Sequence, residues 1–281
     1  MPRTINVKEI EKALLKLIKA ASFALPPDVV QALRKALSQE SSPGGKKIIK
    51  EILINAEVAK KEEVPLCQDT GLALVFLEVG QDVHITGGDL HKALQRTVAK
   101  AYKDNYLRRS VVADPFRRKN TGDNTPAIVQ TTIVPGNKLK LTFLAKGAGS
   151  ENCSALKMFK PTASPAELIE FVLATVRSAQ ANPCPPVIIG LGLGGNFEKA
   201  ALLAKKALLR PLTRPHPQPF YRKLEKEILD KVNRTGIGPM GLGGKVTALA
   251  VHIEAAPCHI ASLPAAINIQ CHADRRSTAV L

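Results

Sequence analysis

The sequence has 281 residues and a formal net charge of +16, from 40 lysines and arginines against 24 aspartates and glutamates. Hydrophobic residues make up 45% and charged residues 23%, which is ordinary for a globular protein and excludes a disordered, collagen-like or coiled-coil chain. The charge is compatible with nucleic acid, an acidic membrane surface or an anionic substrate. A nucleic-acid surface built on base stacking is disfavoured, because the chain has no tryptophan and only 4% aromatic residues.

We expect the N-terminal segment not to act as an export signal, because it has no uninterrupted apolar core. Four lysines interrupt its apolar residues at positions 8, 12, 16 and 19. The longest uncharged stretches, residues 178–197 and the segment 255–274 up to its final Asp274, contain proline and glycine or histidine and would not make a membrane helix. We therefore expect a cytoplasmic chain with no membrane contact, in which the five cysteines are thiols, metal ligands or catalysts and not disulfides.

The first third of the chain is predicted to be helical. Apolar residues at helical spacing predict one helix through residues 5–18 and another through 29–37, after a Pro26-Pro27-Asp28 start signal. Residues 41–45 break the chain with serine, proline and glycine, and a third helix is expected at about 46–60.

The remainder alternates between strands and helices. It predicts a strand at 73–79, a helix at 88–109 and a hairpin whose strands, 127–134 and 138–145, flank residues 135–137. Further helices are expected at 165–180, 197–210 and 219–233, and further strands at 187–193 and 245–252. The pattern predicts a mixed α/β fold, with a helical segment, residues 1–63, packed on a mixed α/β unit, residues 64–281, in one continuous globular domain.

Two glycine-rich segments could suggest a nucleotide site. Residues 190–195 satisfy G-x-G-x-x-G between a predicted strand and a helix, which is typical of dinucleotide binding. A second strand ending in an acid should follow, but residues 211–219 are rich in proline instead. Residues 236–241 repeat the pattern in the wrong order, after a helix and before a strand. We expect both segments to let the backbone closely approach a ligand, a cluster or a partner chain.

The cysteines have no local metal-binding spacing. No C-x-x-C pair occurs, which excludes a zinc ribbon or a ferredoxin-type run. Spacing alone therefore favours free cysteines in the core.

A resemblance changes this interpretation. Over residues 45–276 the chain resembles the N-terminal part of class I fumarate hydratases and the related tartrate dehydratase alpha subunits, and it does so through seven strings in order: PLCQDTG, LRRS, NTGDNTP, KGAGSEN, ANPCPP, GLGLGG and HIASLPAAINIQCHADRR. The resemblance implies a four-iron four-sulfur cluster held by Cys67, Cys184 and Cys271, with one iron free of protein ligands. Thiolates are soft ligands suited to such clusters, and an open iron can act as a Lewis acid.

The same resemblance implies roles for five further positions. Gln68, Asp69, Arg108 and Gly149 match residues that contact the dicarboxylate substrate, and Asp69 with His259 matches the catalytic pair that handles the hydroxyl proton. The arginine fork suits a carboxylate.

Alternatives remain open for several of these residues. Asp69 could form only an Asx turn, and His259 could be a hydrogen-bonded core histidine. Arg109 is one position from Arg108 and could take its place. Ala148 stands where the family has glycine, and residues 120–126 have the composition of a simple turn.

The resemblance implies a subunit and not a whole enzyme. In single-chain members a C-terminal domain follows this region and supplies the base for the carbon-bound proton. We therefore expect the alpha subunit of a heteromeric, iron-sulfur fumarate hydratase, inactive without a separate beta subunit and assembled into a higher hetero-oligomer. L-tartrate dehydratase is the alternative within the class. A basic nucleotide- or nucleic-acid-binding protein is the alternative from another class.

Overall fold

The computed structural model describes residues 3–281 and has a mixed α/β fold, as predicted. The helices are α1 (Val7–Phe23), α2 (Pro27–Gln39), α3 (Pro43–Glu62), α4 (Leu90–Asp104), α5 (Ala148–Glu151), α6 (Pro165–Ala179), α7 (Phe197–Ala207) and α8 (Pro219–Asn233). The strands are β1 (Arg3–Asn6), β2 (Leu72–Gly80), β3 (Val83–Thr86), β4 (Ile128–Val134), β5 (Leu139–Lys146), β6 (Ala155–Phe159), β7 (Val187–Gly195), β8 (Ala248–Cys258), β9 (Leu263–Gln270) and β10 (Arg275–Val280). Among these helices none has the length and apolar character needed to cross a membrane.

The chain divides into two compact units, neither of which is continuous in sequence. The first contains described residues 3–26, 55–148 and 275–281, and the second contains residues 27–54 and 149–274. The chain thus passes from one unit to the other four times.

The first unit is built on a four-stranded sheet in the order β10-β5-β2-β4. The apolar faces of α1 and α4 cover it, with Ile10, Leu14 and Val98 packed in one core with Phe143 of β5. The capping box at Asn6, with Glu9, fixes the start of α1. β2 is buried along most of its length, which requires a partner strand on each side.

The hairpin predicted for residues 127–145 is wrong, although both of its strands exist. β4 pairs with β2 in parallel and β5 pairs with β2 antiparallel, so that β2 lies between them. The turn residues bond to the end of β2 instead: the N–H of Gly80 donates to Lys138 O and that of Asp82 to Gly136 O. The turn residues correctly predict that the chain reverses direction between β4 and β5. The pairing is determined instead by β2, which is buried along most of its length and lies between the two strands.

The second unit holds a sheet in the order β6-β9-β7-β8, with α6 and α8 in its main core. β7 pairs in parallel with β8 and antiparallel with β9.

The G-x-G-x-x-G segment is a packing motif. Its glycines lie within β7, and α7 packs directly on this strand. A Cβ at Gly190 would lie 2.2 Å from Ala204 O, and one at Gly192 would lie 2.0 Å from Ala200 O. The close approach expected at this segment is therefore made by a helix of the same chain, and the glycines inside the paired strand do not form a phosphate-binding loop.

Candidate functional site

The loop at residues 67–71, between α3 and β2, carries three of the predicted residues. Cys67 is half-buried, and its thiol donates to Oε1 of the exposed Gln68 at 3.6 Å. Asp69 is half-buried and accepts two backbone N–H bonds, from Gly71 at 3.0 Å and from Ala148 at 2.8 Å. The Asx turn suggested by the sequence is therefore present, and the second bond fixes the carboxylate against the GAGSEN segment.

Arg275 holds the same loop from β10. Its side chain is only 3% exposed relative to a free residue, and Nη1 donates to the carbonyl oxygen of Asp69 at 2.5 Å. Its Nε is buried without a hydrogen-bond partner. Sequence reasoning did not single out Arg275, although it lies in the last family string.

Tyr102 of α4 is a second buried side chain that binds the backbone of this loop. Its hydroxyl donates to the carbonyl oxygens of Thr70 at 3.2 Å and Gly71 at 3.1 Å. Burial raises the pKa of Tyr102 far above its usual value; the Arg275 charge opposes the rise and the Asp69 charge adds to it. Tyr102 therefore stays neutral and acts as a hydrogen-bond donor.

Arg108 is tied to this loop through its backbone. Thr70 Oγ1 donates to Arg108 O at 2.6 Å, while the side chains of Arg108 and Arg109 are both exposed. The carbonyl of Arg109 instead accepts from Asn120. Of the two arginines, Arg108 is the one attached directly to the residue after Asp69.

The NTGDNTP segment forms a structural turn. The fully buried Asn124 accepts from the N–H of Ser110 at 2.7 Å and donates to Gly71 O at 3.3 Å. It thereby connects the LRRS segment to the end of the Asp69 loop.

In the second unit, the segments carrying Cys184 and Cys271 are in contact. His272 donates from its backbone N–H to Cys184 O at 3.4 Å, and its Nδ1 lies 2.9 Å from the same oxygen. Cys184 has a left-handed backbone, with φ at +55°, and Cys271 is half-buried with its thiol 3.6 Å from Ala273 O. Two of the three predicted ligands therefore lie on neighbouring loops.

Gly149 lies against the Cys184 loop. A Cβ at this position would be 2.9 Å from Asn182 O, so glycine is required for the close approach. Its own carbonyl accepts from the Cys153 thiol at 3.2 Å.

His259 is exposed, in the turn between β8 and β9. The alternative of a buried core histidine is therefore wrong. Its Nδ1 accepts from the N–H of Ala261 at 3.1 Å, and its carbonyl accepts from Ser262 at 2.9 Å. A neutral imidazole whose Nδ1 accepts carries its proton on Nε2, which can donate it to an oxygen atom.

Glu40 was missed by sequence reasoning, although it is a carboxylate that is 2% exposed. It accepts from four backbone N–H groups, those of Ser41, Ser42, Lys245 and Val246. Burial raises the pKa of Glu40, but these four hydrogen bonds outweigh burial and lower it overall. A charged anchor therefore fixes the connection that follows residues 236–244.

The second glycine-rich segment approaches the Cys184 loop. The N–H of Met240 donates to Pro185 O at 2.8 Å, and a Cβ at Gly241 would be 2.5 Å from Ala181 Cβ. The backbone approach expected at this segment is present, but its neighbour is a loop of the same chain and not the predicted ligand, cluster or partner chain.

The chemistry of the predicted ligands suits an iron-sulfur cluster, because cysteine thiolates are the donors that such clusters take. No disulfide joins any of the five cysteines, all of which lie in the described part of the chain, and the three predicted ligands are half-buried. Across residues 3–281, no three His, Cys, Asp or Glu side chains are grouped as ligands of a metal ion. Such a group marks a site for a single ion, whereas a four-iron four-sulfur cluster is a larger group bound by cysteine thiolates.

Comparison with known proteins agrees with the resemblance. The family described as Fumarate hydratase (Fumerase) matches residues 11–280. The chain is 43% identical over 277 residues to the putative L(+)-tartrate dehydratase subunit alpha of Methanocaldococcus jannaschii, which covers 96% of each chain. It is 32% identical over 276 residues to the L(+)-tartrate dehydratase subunit alpha of Escherichia coli K12, which covers 97% of this chain and 90% of that relative.

Proposed function

The chain belongs to the fumarate hydratase family of hydro-lyases, and from this membership we propose that it is the cluster-bearing alpha subunit of a two-subunit enzyme. The observation that carries the proposal is the family match over residues 11–280, which includes every predicted site residue. The name "subunit alpha" of the relatives supports a separate beta subunit.

The leading substrate pair is fumarate and L-malate, interconverted by addition or loss of water, as in the tricarboxylic acid cycle. L(+)-tartrate is the second candidate, because the relatives from M. jannaschii and E. coli are named as tartrate dehydratase subunits. Tartrate carries one more hydroxyl, and the residues proposed here bind features common to both substrates.

Cys67, Cys184 and Cys271 would hold a four-iron four-sulfur cluster. When bound, the cluster supplies a Lewis acid that makes hydroxide a feasible leaving group. The thiols at these positions are half-buried, and all three lie within the family strings, whereas Cys153 and Cys258 lie outside them.

The remaining residues bind the substrate and move a proton. Gln68 in the Asp69 loop and Arg108, whose carbonyl accepts from Thr70, have exposed side chains and would bind a substrate carboxylate, and Gly149 would also contact the substrate. Asp69 and His259 would transfer the proton of the hydroxyl. The fixed carboxylate of Asp69 and the Nε2 proton of His259 support these roles.

Hydration also requires a proton on the adjacent carbon. We assign the group that transfers it, and the contacts to the second carboxylate, to the beta subunit. The same proposal includes assembly into a higher hetero-oligomer. It also includes a cytoplasmic location, because a reducing compartment protects an exposed iron.

Steady-state assays test this proposal. The chain and its beta subunit are produced together without oxygen, and kcat/KM is measured for fumarate hydration and for L(+)-tartrate dehydration. We expect hydration to be the faster reaction and the isolated chain to be inactive. If the complex dehydrates L(+)-tartrate but does not hydrate fumarate, tartrate becomes the proposed substrate in place of fumarate. A complex inactive on both, or salt-sensitive DNA binding without hydro-lyase activity, would contradict the proposal.

A further inference from the structure

A short hairpin between α4 and β4 presents two aromatic rings to solvent. We call residues 105–121 the basic arm. Tyr106 is 93% exposed and Phe116 is 94% exposed, in a chain with only eight phenylalanines and three tyrosines. A single exposed apolar residue is ordinary, but two almost fully exposed aromatic side chains on one short hairpin are typical of protein contacts.

The basic arm is held in shape before any partner binds. Asp114 Oδ1 accepts from the N–H groups of Phe116 at 3.0 Å and Arg117 at 2.6 Å, which closes a turn that displays the Phe116 ring. The N–H of Ala113 donates to Lys119 O at 2.7 Å across the hairpin. Since the turn is already ordered, binding through Phe116 costs little conformational entropy.

The same segment is strongly basic. The basic arm has five cations, at Arg108, Arg109, Arg117, Arg118 and Lys119. Its only carboxylate, Asp114, is engaged in the turn. An apolar pocket bordered by carboxylates is the surface that complements such a tip.

The base of the arm is attached to the Asp69 loop. Thr70 donates to Arg108 O, and Asn124 joins Ser110 to Gly71 O. A partner that binds the arm is therefore brought to the loop carrying Cys67 and Asp69.

We propose that the basic arm binds the beta subunit, through an apolar pocket for Phe116 bordered by carboxylates. This inference rests on the proposed function, in which that subunit must reach the Asp69 loop to supply the missing groups. A second copy of this chain is a poorer partner, because it would bring the same five cations and the same charge of +16 to the contact.

The test measures the dissociation constant for the beta subunit, meaning the chain that corresponds to the C-terminal part of single-chain class I fumarases. Phe116→Ser and Arg117→Glu are compared with two controls outside the arm, Phe220→Ser, with a 60% exposed ring, and Lys47→Glu on α3. We expect each arm variant to weaken binding at least about tenfold and each control less than about twofold. Because salt screens charge, raising the salt concentration should bring the dissociation constants of the wild type and Arg117→Glu closer together.

Unchanged melting temperature and near-ultraviolet circular dichroism of Phe116→Ser would show that the loss is not misfolding. Arm variants that bind like the wild type in an active complex would overturn this inference alone. Loss of self-association or of nucleic-acid binding, with unchanged affinity for the beta subunit, would also overturn it. Weaker binding by the arm variants, in a wild-type complex that turns over neither substrate, would support the arm surface and contradict the proposed function.

Discussion

The Asp69 loop and the Cys184 loop are stabilised in different ways. Buried polar side chains hold the first: Arg275 and Tyr102 donate to its carbonyl oxygens, and Asn124 donates to Gly71 O. Close backbone packing holds the second, through glycines whose Cβ atoms would collide with it.

The difference determines which substitutions each loop tolerates. Removing a buried donor leaves an unsatisfied carbonyl oxygen and costs about 1–3 kcal/mol. Adding a single methyl group at a glycine contact forces the backbone to move. The first loop is therefore sensitive to the loss of buried polar side chains, and both loops are sensitive to a side chain added at a glycine, since a Cβ at Gly71 would lie 2.8 Å from the Lys146 backbone.

The largest expected effect is loss of the cluster, and here substitutions in the two loops should give the same result. Cys67→Ser, Cys184→Ser and Cys271→Ser should each lose the cluster, because a hard hydroxyl is a poor substitute for thiolate. Iron analysis of anaerobically reconstituted protein should give about four iron ions per chain in the wild type and almost none in the variants. Cys153→Ser and Cys258→Ser are the matched controls and should retain full iron. Full iron in Cys184→Ser would remove it from the ligand set.

Substitution of a proton-transfer residue should lower turnover without changing cluster binding. His259→Asn should lower turnover of the assembled enzyme by about a hundredfold or more and leave the iron content unchanged, because His259 is not a proposed ligand. Asp69→Asn should behave in the same way if the Asp69 loop stays in place. Full activity of His259→Asn would move the proton transfer to Asp69, to another residue or to water.

Arg275→Met tests the polar support of the Asp69 loop. The buried guanidinium donates to Asp69 O, so its loss should destabilise the chain by about 2–3 kcal/mol. Arg276→Met, the neighbouring half-buried arginine on β10, is the control. Urea unfolding measures both, and equal stability of the two variants would remove the special role of Arg275.

Glu40→Gln tests the anchor near the Cys184 loop and should have the smallest effect, about 1–2 kcal/mol at neutral pH. Because the fold lowers the pKa of Glu40 from its ordinary value of 4.5, its contribution is complete above that value and disappears as the pH falls through the lowered one. Unfolding curves of wild type and variant should therefore converge in acid. Asp28→Asn is the control, since that carboxylate also accepts a backbone N–H, from Leu212. A difference that does not change with pH would contradict this role of Glu40.

The local elements were largely predictable because their signals lie within a few residues. α8 was predicted with both ends correct, and its first residue is the Pro219 that marks a helix start. α4 ends five residues earlier than predicted, because Asn105 caps it and Tyr106 has a φ of +53°. α3 begins at Pro43, inside the expected break, because proline suits a first helical turn.

The pairing of strands was not predictable from local signals. The sequence pattern does not predict strands β9 and β10, at residues 263–270 and 275–280. The cysteines and Asp69 came from the family resemblance. Arg275 and Glu40 could not be found in this way, because each acts on a segment more than 200 residues away in sequence. For Arg275 the available signal was its place in the last family string.

The interleaving of the two units has a consequence for dividing the gene. No single cut yields a complete unit, since residues 275–281 return to the sheet that was begun some two hundred residues earlier. A fragment ending at residue 148 would lack β10 and leave the buried strand β5 as a sheet edge, open to pairing with other chains. Fusion or splitting designs for this chain should therefore keep residues 3–281 together and place any new junction in an exposed turn.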